Sequence, residues 1–365
     1  MGSKVKRIAL FLAACFIVFN TWPLFGVEVK LAEKIGFSQD AGSNPLETRG
    51  FCLTDDELFI TPNQKNGDIE ISEINSSRLE LINVLRGKEF GLMEPTFCYY
   101  NKKEGRLGIV DFGKKQIVIF ERTGRSEFTL VDEIPCIRLA TDIQLFGKKG
   151  EERLLLSGYI PDENGTPYDL YEVKLADGQT TLLLPSWHKY GLKSNEEYKI
   201  EYRQNSGIRA KGLDSWFDVQ GDDVYYTWSA NYKIIKINIK SKALTFFGQK
   251  PRNYVEPSAE KLIPALNNRN KLMMETARQS MSYISKVFTT PEYVLVIFEG
   301  PFNQVNGLNF TLQLYDLNGK YLGETAIPGR PGDRMHFDKD KKILYSLSRN
   351  SANSGYIISK YTVSQ

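Results

Sequence analysis

The stretch from Gly221 to Lys242, GDDVYYTWSANYKIIKINIKSK, recurs in outline six times along the 365 residues, and this recurrence restricts the fold more than any other feature. The matching stretches are DDELFITPNQKNGDIEISEINSS, EGRLGIVDFGKKQIVIFERTGR, ERLLLSGYIPDENGTPYDLYEVKLADGQ, PEYVLVIFEGPFNQVNGLNFTLQLYDLNGK and KKILYSLSRNSANSGYIISKYTVSQ. Each opens on a tight polar turn and enters an apolar run at Leu58, Leu107, Leu154, Val224, Val294 or Ile343. A second run follows around Ile69, Ile117, Leu170, Ile234, Leu312 or Ile357. In IEISEI, IVIFER, IIKINI and LQLYDL the apolar residues alternate as in a strand.

A third strand precedes every unit: RGFCL, TFCYY, DIQLF, WFDVQ, ISKVF and RMHFD. A fourth follows five of them: LELINVLRG, EFTLVDEI, TTLLL, ALTFFGQK and KYLGETAIP. The mean spacing is 57 residues over the five intervals from Leu58 to Ile343. Four antiparallel strands at that period predict an all-β fold, a six-bladed β-propeller of four-stranded antiparallel blades over residues 27–365. The aromatic content of 12%, with 19 Tyr and 21 Phe, suits pleated surfaces. The sixth unit ends at Gln365 before a fourth strand, and the alternating VEVKLAEKI at Val27 to Ile35 is available to complete it, which would remove an open sheet edge.

The succession of polar turn, short apolar strand, YDLNGKYLGE hairpin and following proline resembles the exported bacterial six-bladed propellers of the NHL and TolB-like group. The resemblance covers nearly all of residues 27–365 as a fold-level pattern without a catalytic motif. It implies architecture rather than activity.

Residues 1–26 read as a signal peptide or N-terminal anchor. Lys4, Lys6 and Arg7 precede an apolar run from Ile8 to Phe19, too short for a comfortable membrane span. LAAC at Leu12 to Cys15 resembles a bacterial lipobox, although Phe16 to Phe19 stay apolar where lipoproteins usually turn polar. Both readings predict export, to the periplasm or the cell surface, with membrane contact only through this segment or a lipid on Cys15. Its removal takes the formal charge from +3 to about neutral, which leaves nucleic-acid binding without an electrostatic motive. Cys52, Cys98 and Cys136 remain, with no zinc-site spacing. GFCL and TFCY place Cys52 and Cys98 at equivalent positions of neighbouring repeats, and the expectation is two thiols too far apart to bond.

The long insertions all fall on one predicted face of the ring: Ser186 to Gly212, Pro251 to Met281, Ser157 to Tyr168 and Glu299 to Asn309. The second carries helix-forming composition and apolar spacing, which predicts a short helical insertion between blades 4 and 5. The first contributes the candidate ligand-binding residues Trp187, His188, Tyr202, Arg203 and Arg209. Aromatic platforms beside cations suit sugar rings or anionic groups, and the same rings could equally pack the insertion onto the blades. The expected partner is an envelope protein or a carbohydrate ligand, with no cofactor.

An alternative is a lactonase-like hydrolase holding a divalent cation such as Ca2+ at the channel mouth. Glu94, Asp142 and Asp214, near the starts of inner strands, are its candidate metal ligands. A nucleophilic triad would have to use His188 or His336, and no GxSxG elbow exists in the chain. The sequence therefore favours an exported binding or interaction module of the bacterial cell envelope over an enzyme.

Overall fold

The computed structural model describes residues 27–37, 48, 50–75, 77–135, 142–148, 150–189, 193–194, 215–256, 276, 279–301, 309–329, 334–349 and 356–364. After β1 (Glu28–Phe37), the strands fall into consecutive groups. The first is β2 (Cys52–Leu53), β3 (Phe59–Pro62), β4 (Ile69–Asn75) and β5 (Arg78–Leu85). The second is β6 (Pro95–Asn101), β7 (Arg106–Asp111), β8 (Gln116–Arg122) and β9 (Phe128–Pro135). The third is β10 (Asp142–Phe146), β11 (Arg153–Pro161), β12 (Pro167–Lys174) and β13 (Thr180–Pro185), followed by the four-residue helix α1 (Ser186–Lys189). Next come β14 (Ser215–Gln220), β15 (Asp223–Trp228), β16 (Ile234–Asn238) and β17 (Leu244–Phe247). They are followed by β18 (Tyr283–Thr289), β19 (Tyr293–Glu299), β20 (Phe310–Asp316) and β21 (Tyr321–Ile327). The last strands are β22 (Arg334–Asp338), β23 (Ile343–Arg349) and β24 (Tyr356–Ser364).

The groups β6–β9, β10–β13, β14–β17 and β18–β21 each form a four-stranded sheet in sequence order, with antiparallel neighbours. The remaining strands join in an eight-stranded sheet ordered β2-β3-β4-β5-β1-β24-β23-β22. Within it β1 pairs antiparallel with β24, from Glu28 opposite Ser364 to Gly36 opposite Ile357. Only two parallel residue pairs, Gly36 with Arg78 and Phe37 with Leu79, join β1 to β5. The N-terminal strand thus completes the last hairpin, as its alternating pattern implies. The arrangement is all-β and propeller-like.

Packing explains the sequence pattern. Apolar cores lie between successive groups of strands: Ile60 and Ile71 with Leu107 and Phe120, then Val110 and Ile119 with Leu154 and Leu156. The same holds for Leu155 with Phe217, Tyr225 with Val296, Ile297 with Phe337, and Leu347 with Leu53. Middle strands are covered on both faces, so Ile117 to Phe120 are all buried despite their position in an alternating run. Outer strands such as β9 and β17 are covered less and keep exposed positions.

The turns answer to their residues. Gly221 and Gly319 adopt φ of +63° and +87° in the tight hairpins after β14 and β20, a conformation glycine enters without a Cβ clash. The segment from Ser157 to Tyr168 is less of a loop than the sequence suggests. Its strands continue, with Ile160 opposite Tyr168 and Pro161 opposite Pro167, and the Asp162 carboxylate accepts the Asn164 and Thr166 amides to close the hairpin. The expected helical insertion between blades 4 and 5 lies almost entirely outside the described residues, as do Cys15, Cys136 and the rest of residues 1–26.

Candidate functional site

The innermost strands carry polar side chains toward a common axis. Asp142 begins β10, Trp216 stands near the start of β14, and Lys286 sits at a bulge in β18. Lys286 Nζ passes 3.8 Å from the centroid of the Trp216 ring and ends 3.2 Å from Asp142 Oδ2, so one cation spans three successive sheets. Burial pushes the Asp142 carboxyl above its ordinary range, against the pull of Lys286 and of the Ile143 and Phe217 backbone. The Trp216 indole N–H is buried and has no acceptor among the described residues.

Further along the axis, Asp218 gathers donors from four groups of strands. It accepts Gln144 Nε2 at 2.9 Å, its neighbour's Val219 amide at 2.8 Å, the Thr289 amide at 2.6 Å and Thr289 Oγ1 at 2.9 Å. Lys339 Nζ adds a charged contact at 2.9 Å. Beside this cluster Lys102 Nζ lies 3.1 Å from Asp338. Burial lowers the His336 pKa to about 4, reinforced by Lys102 and Lys286 and opposed by Asp338 and Asp218, so the ring is neutral at pH 7. Tyr99 is held protonated by burial, with the Asp218, Cys52 and Asp142 side chains raising it further.

The three axial aspartates, Asp142, Asp218 and Asp338, each face a lysine ammonium. Among the described residues no three His, Cys, Asp or Glu side chains come together as a metal site. Of the candidate metal ligands, Glu94 accepts Gln64 Nε2 at 2.8 Å, Asp142 pairs with Lys286, and Asp214 lies outside the described residues.

Of the candidate ligand-binding residues, Trp187 and His188 belong to α1, while Tyr202, Arg203 and Arg209 lie outside the described residues. Trp187 and His188 are part of a run of rings. Tyr168 to Trp187 measures 6.4 Å between centroids, Trp187 to His188 5.9 Å, and His188 to Phe246 5.9 Å. The run bridges β12 and β17, and Phe246 at its end is 44% exposed, enough to present an apolar ring face to solvent. Burial lowers the His188 pKa, so the imidazole is neutral at pH 7 and acts in the run as a flat, weakly polar ring. Just after β17, Lys250 Nζ lies 5.1 Å from the Tyr232 ring and 5.8 Å from the Tyr254 ring, with Glu256 at 3.3 Å.

No signal in the sequence joins Tyr168 and Phe246 to the ring run. Tyr168 sits 19 residues before Trp187 across a hairpin, and Phe246 lies in a short edge strand whose alternation does not mark the exposed ring. Lys286 stands in the quoted strand ISKVF, where its being the one charged residue was the available signal.

No protein-family model matches the sequence, and no curated protein matches it. Among solved structures, the fold is similar to that of a member of the DUF4221 family from Bacteroides vulgatus ATCC 8482, at a TM-score of 0.62 and 10% identity, covering 94% of this chain and 99% of that one. It is also similar to that of a predicted exported protein from Bacteroides fragilis NCTC 9343, at a TM-score of 0.54 and 9% identity, covering 92% and 96%. At these identities the likeness is one of fold.

Proposed function

We propose that this protein is an exported six-bladed propeller that serves as a binding module of the bacterial cell envelope and holds a carbohydrate or an envelope protein on its insertion-bearing face. The blade count follows from treating the eight-stranded sheet as two blades, β2–β5 and β22–β24 with β1, which the two-pair junction of β1 and β5 supports. The apolar cores between successive groups of strands support the same count. Export is supported by the charged and apolar order of residues 1–26 and by the shared fold with a predicted exported protein. A lipid on Cys15 is the anchoring variant of the same reading.

The observation that carries the binding role is the ring run Tyr168, Trp187, His188 and Phe246, which combines packed rings with an exposed end. Sugars stack on such faces through their C–H surfaces, and protein partners seat apolar anchors against them. The test is a glycan and envelope-protein binding screen on the purified protein, followed by Trp187→Ala and Phe246→Ala variants. The reading expects each variant to weaken the captured ligand at least about tenfold, on the order of 1.4 kcal/mol, with an unchanged melting temperature. Unweakened binding, or variants that unfold the protein, would overturn it.

A further inference from the structure

Cys52 lies in β2 and Cys98 in β6, the innermost strands of two successive groups. Both pack in the apolar core between those groups, beside Leu58, Ile60, Leu107 and Ile109. Cys98 Sγ is 3.4 Å from the carbonyl oxygen of Ile60, and Ile60 is the direct cross-strand partner of Cys52. Cys98 Sγ thus reaches the backbone of the residue that Cys52 faces across the β2–β3 ladder. Both are free thiols in the structure, as expected from the sequence, and they stand on neighbouring innermost strands, which draw together toward the axis.

We propose that Cys52 and Cys98 are a modification site, oxidised to a disulfide that fastens the first four-stranded group to the second. Cys98 is partly exposed and Cys52 is 2% exposed, which sets the order of events. Burial, and then the neighbouring Cys98, hold the Cys52 thiol well above its ordinary pKa, so Cys98 is the better first nucleophile. Cys98 as thiolate attacks one sulfur of a small-molecule disulfide such as oxidised glutathione, forming a mixed disulfide and expelling one glutathione thiolate. Cys52 gives up its proton and attacks the Cys98 sulfur, which breaks the mixed disulfide and releases the second glutathione. Two protein thiols are oxidised, one glutathione disulfide is reduced to two thiols, and the two cysteine protons end on the released glutathiones. The chemistry is independent of the binding reading above; only its occurrence in the cell depends on export to an oxidising compartment.

The test uses the folded full chain. Protein is incubated with oxidised glutathione, quenched, alkylated in denaturant and mapped by mass spectrometry without reduction. The expected result is a linked pair of peptides containing Cys52 and Cys98, lost on adding dithiothreitol and retained in the Cys136→Ser variant. The linkage closes a long chain segment, so the oxidised protein should melt about 5 °C above the reduced one. Cys98→Ser should abolish both the linkage and the shift. Recovery of both cysteines as alkylated thiols would overturn the proposal. So would linkage of either one only to Cys136, to another chain or to glutathione.

Discussion

Lys286 Nζ and the Asp142 carboxylate stand 3.2 Å apart although 144 residues separate them in the chain. The lysine comes from β18, the aspartate from β10, and the Trp216 ring of β14 fills the space between. Both charged side chains are about 15% exposed, so neither has water enough to stand alone. Lys286→Met should cost about 3 kcal/mol by stranding a buried carboxylate. The Lys286→Met, Asp142→Leu double variant should regain most of that loss, because the charge requiring a partner is gone. Urea unfolding of the four proteins in a double-mutant cycle measures the coupling; a value near zero would mean that the pair contributes nothing to holding the sheets together.

Asp218 works by number of donors rather than by one strong contact. Gln144, Thr289 and Lys339 reach it from three other groups of strands, and the residue is 4% exposed. Asp218→Ala leaves those donors, one of them an ammonium, without an acceptor, and should cost about 3–5 kcal/mol. Thr289→Val removes the hydroxyl, with its contacts to Asp218, the Val219 carbonyl and Lys339, while keeping the amide, and should cost about 1–2 kcal/mol. Chemical denaturation ranks the two; equal losses would contradict the shared-acceptor account.

The strand plan was readable in the sequence because each strand leaves a local mark. Val224 and Ile234 of the opening unit fall in β15 and β16, and Glu28 to Ile35 of the alternating run fall on the closing strand. The axis was not readable. Asp142 carries the residue type and position of a metal ligand, and what it faces is a lysine delivered from two sheets away by the curvature of the ring. Cys52 and Cys98 fall on the equivalent strands that their contexts indicate and are free thiols, while the shared core between their sheets was not legible. Periodicity reports which face of a strand is buried, whereas contacts across an axis depend on how several sheets converge.

Closure of the ring predicts a graded response along β1. Ile35 is fully buried between the last hairpin and the first group of strands, whereas Leu31 is 37% exposed at the bulge in the β1–β24 pairing. Ile35→Ala should cost about 2–4 kcal/mol and Leu31→Ala less than about 0.5 kcal/mol. Val29→Asp places a charge in the core with Val363 and Phe337, and should free β24 as an open edge that associates with other copies. Denaturation midpoints test the first pair, and light scattering of the third tests the edge; a monomeric Val29→Asp protein of normal stability would show that β1 is dispensable.

Acid should loosen the axis before it protonates most carboxylates. The His336 pKa is lowered from 6.5 to about 4 in the folded protein, so its neutral form is the one the fold favours. A group of this kind contributes stability that is full above the unfolded pKa of 6.5 and is lost as the pH falls toward 4. The complete shift corresponds to at most about 3 kcal/mol, and the partial exposure of the ring reduces the expected loss to about 1–2 kcal/mol. His336→Phe keeps an aromatic ring near Phe51, now 6.1 Å from the histidine, and removes the titration. Stability measured by urea unfolding at pH 7.5, 6, 5 and 4 should therefore fall more steeply in the native protein than in the variant, with the difference opening between about pH 6.5 and 4. Asp338, Asp56 and Glu57, whose carboxyls are lowered, lose their contributions at lower pH in both proteins and set the common slope. Parallel profiles for the two proteins over the whole range would mean that His336 is not the group through which acid acts.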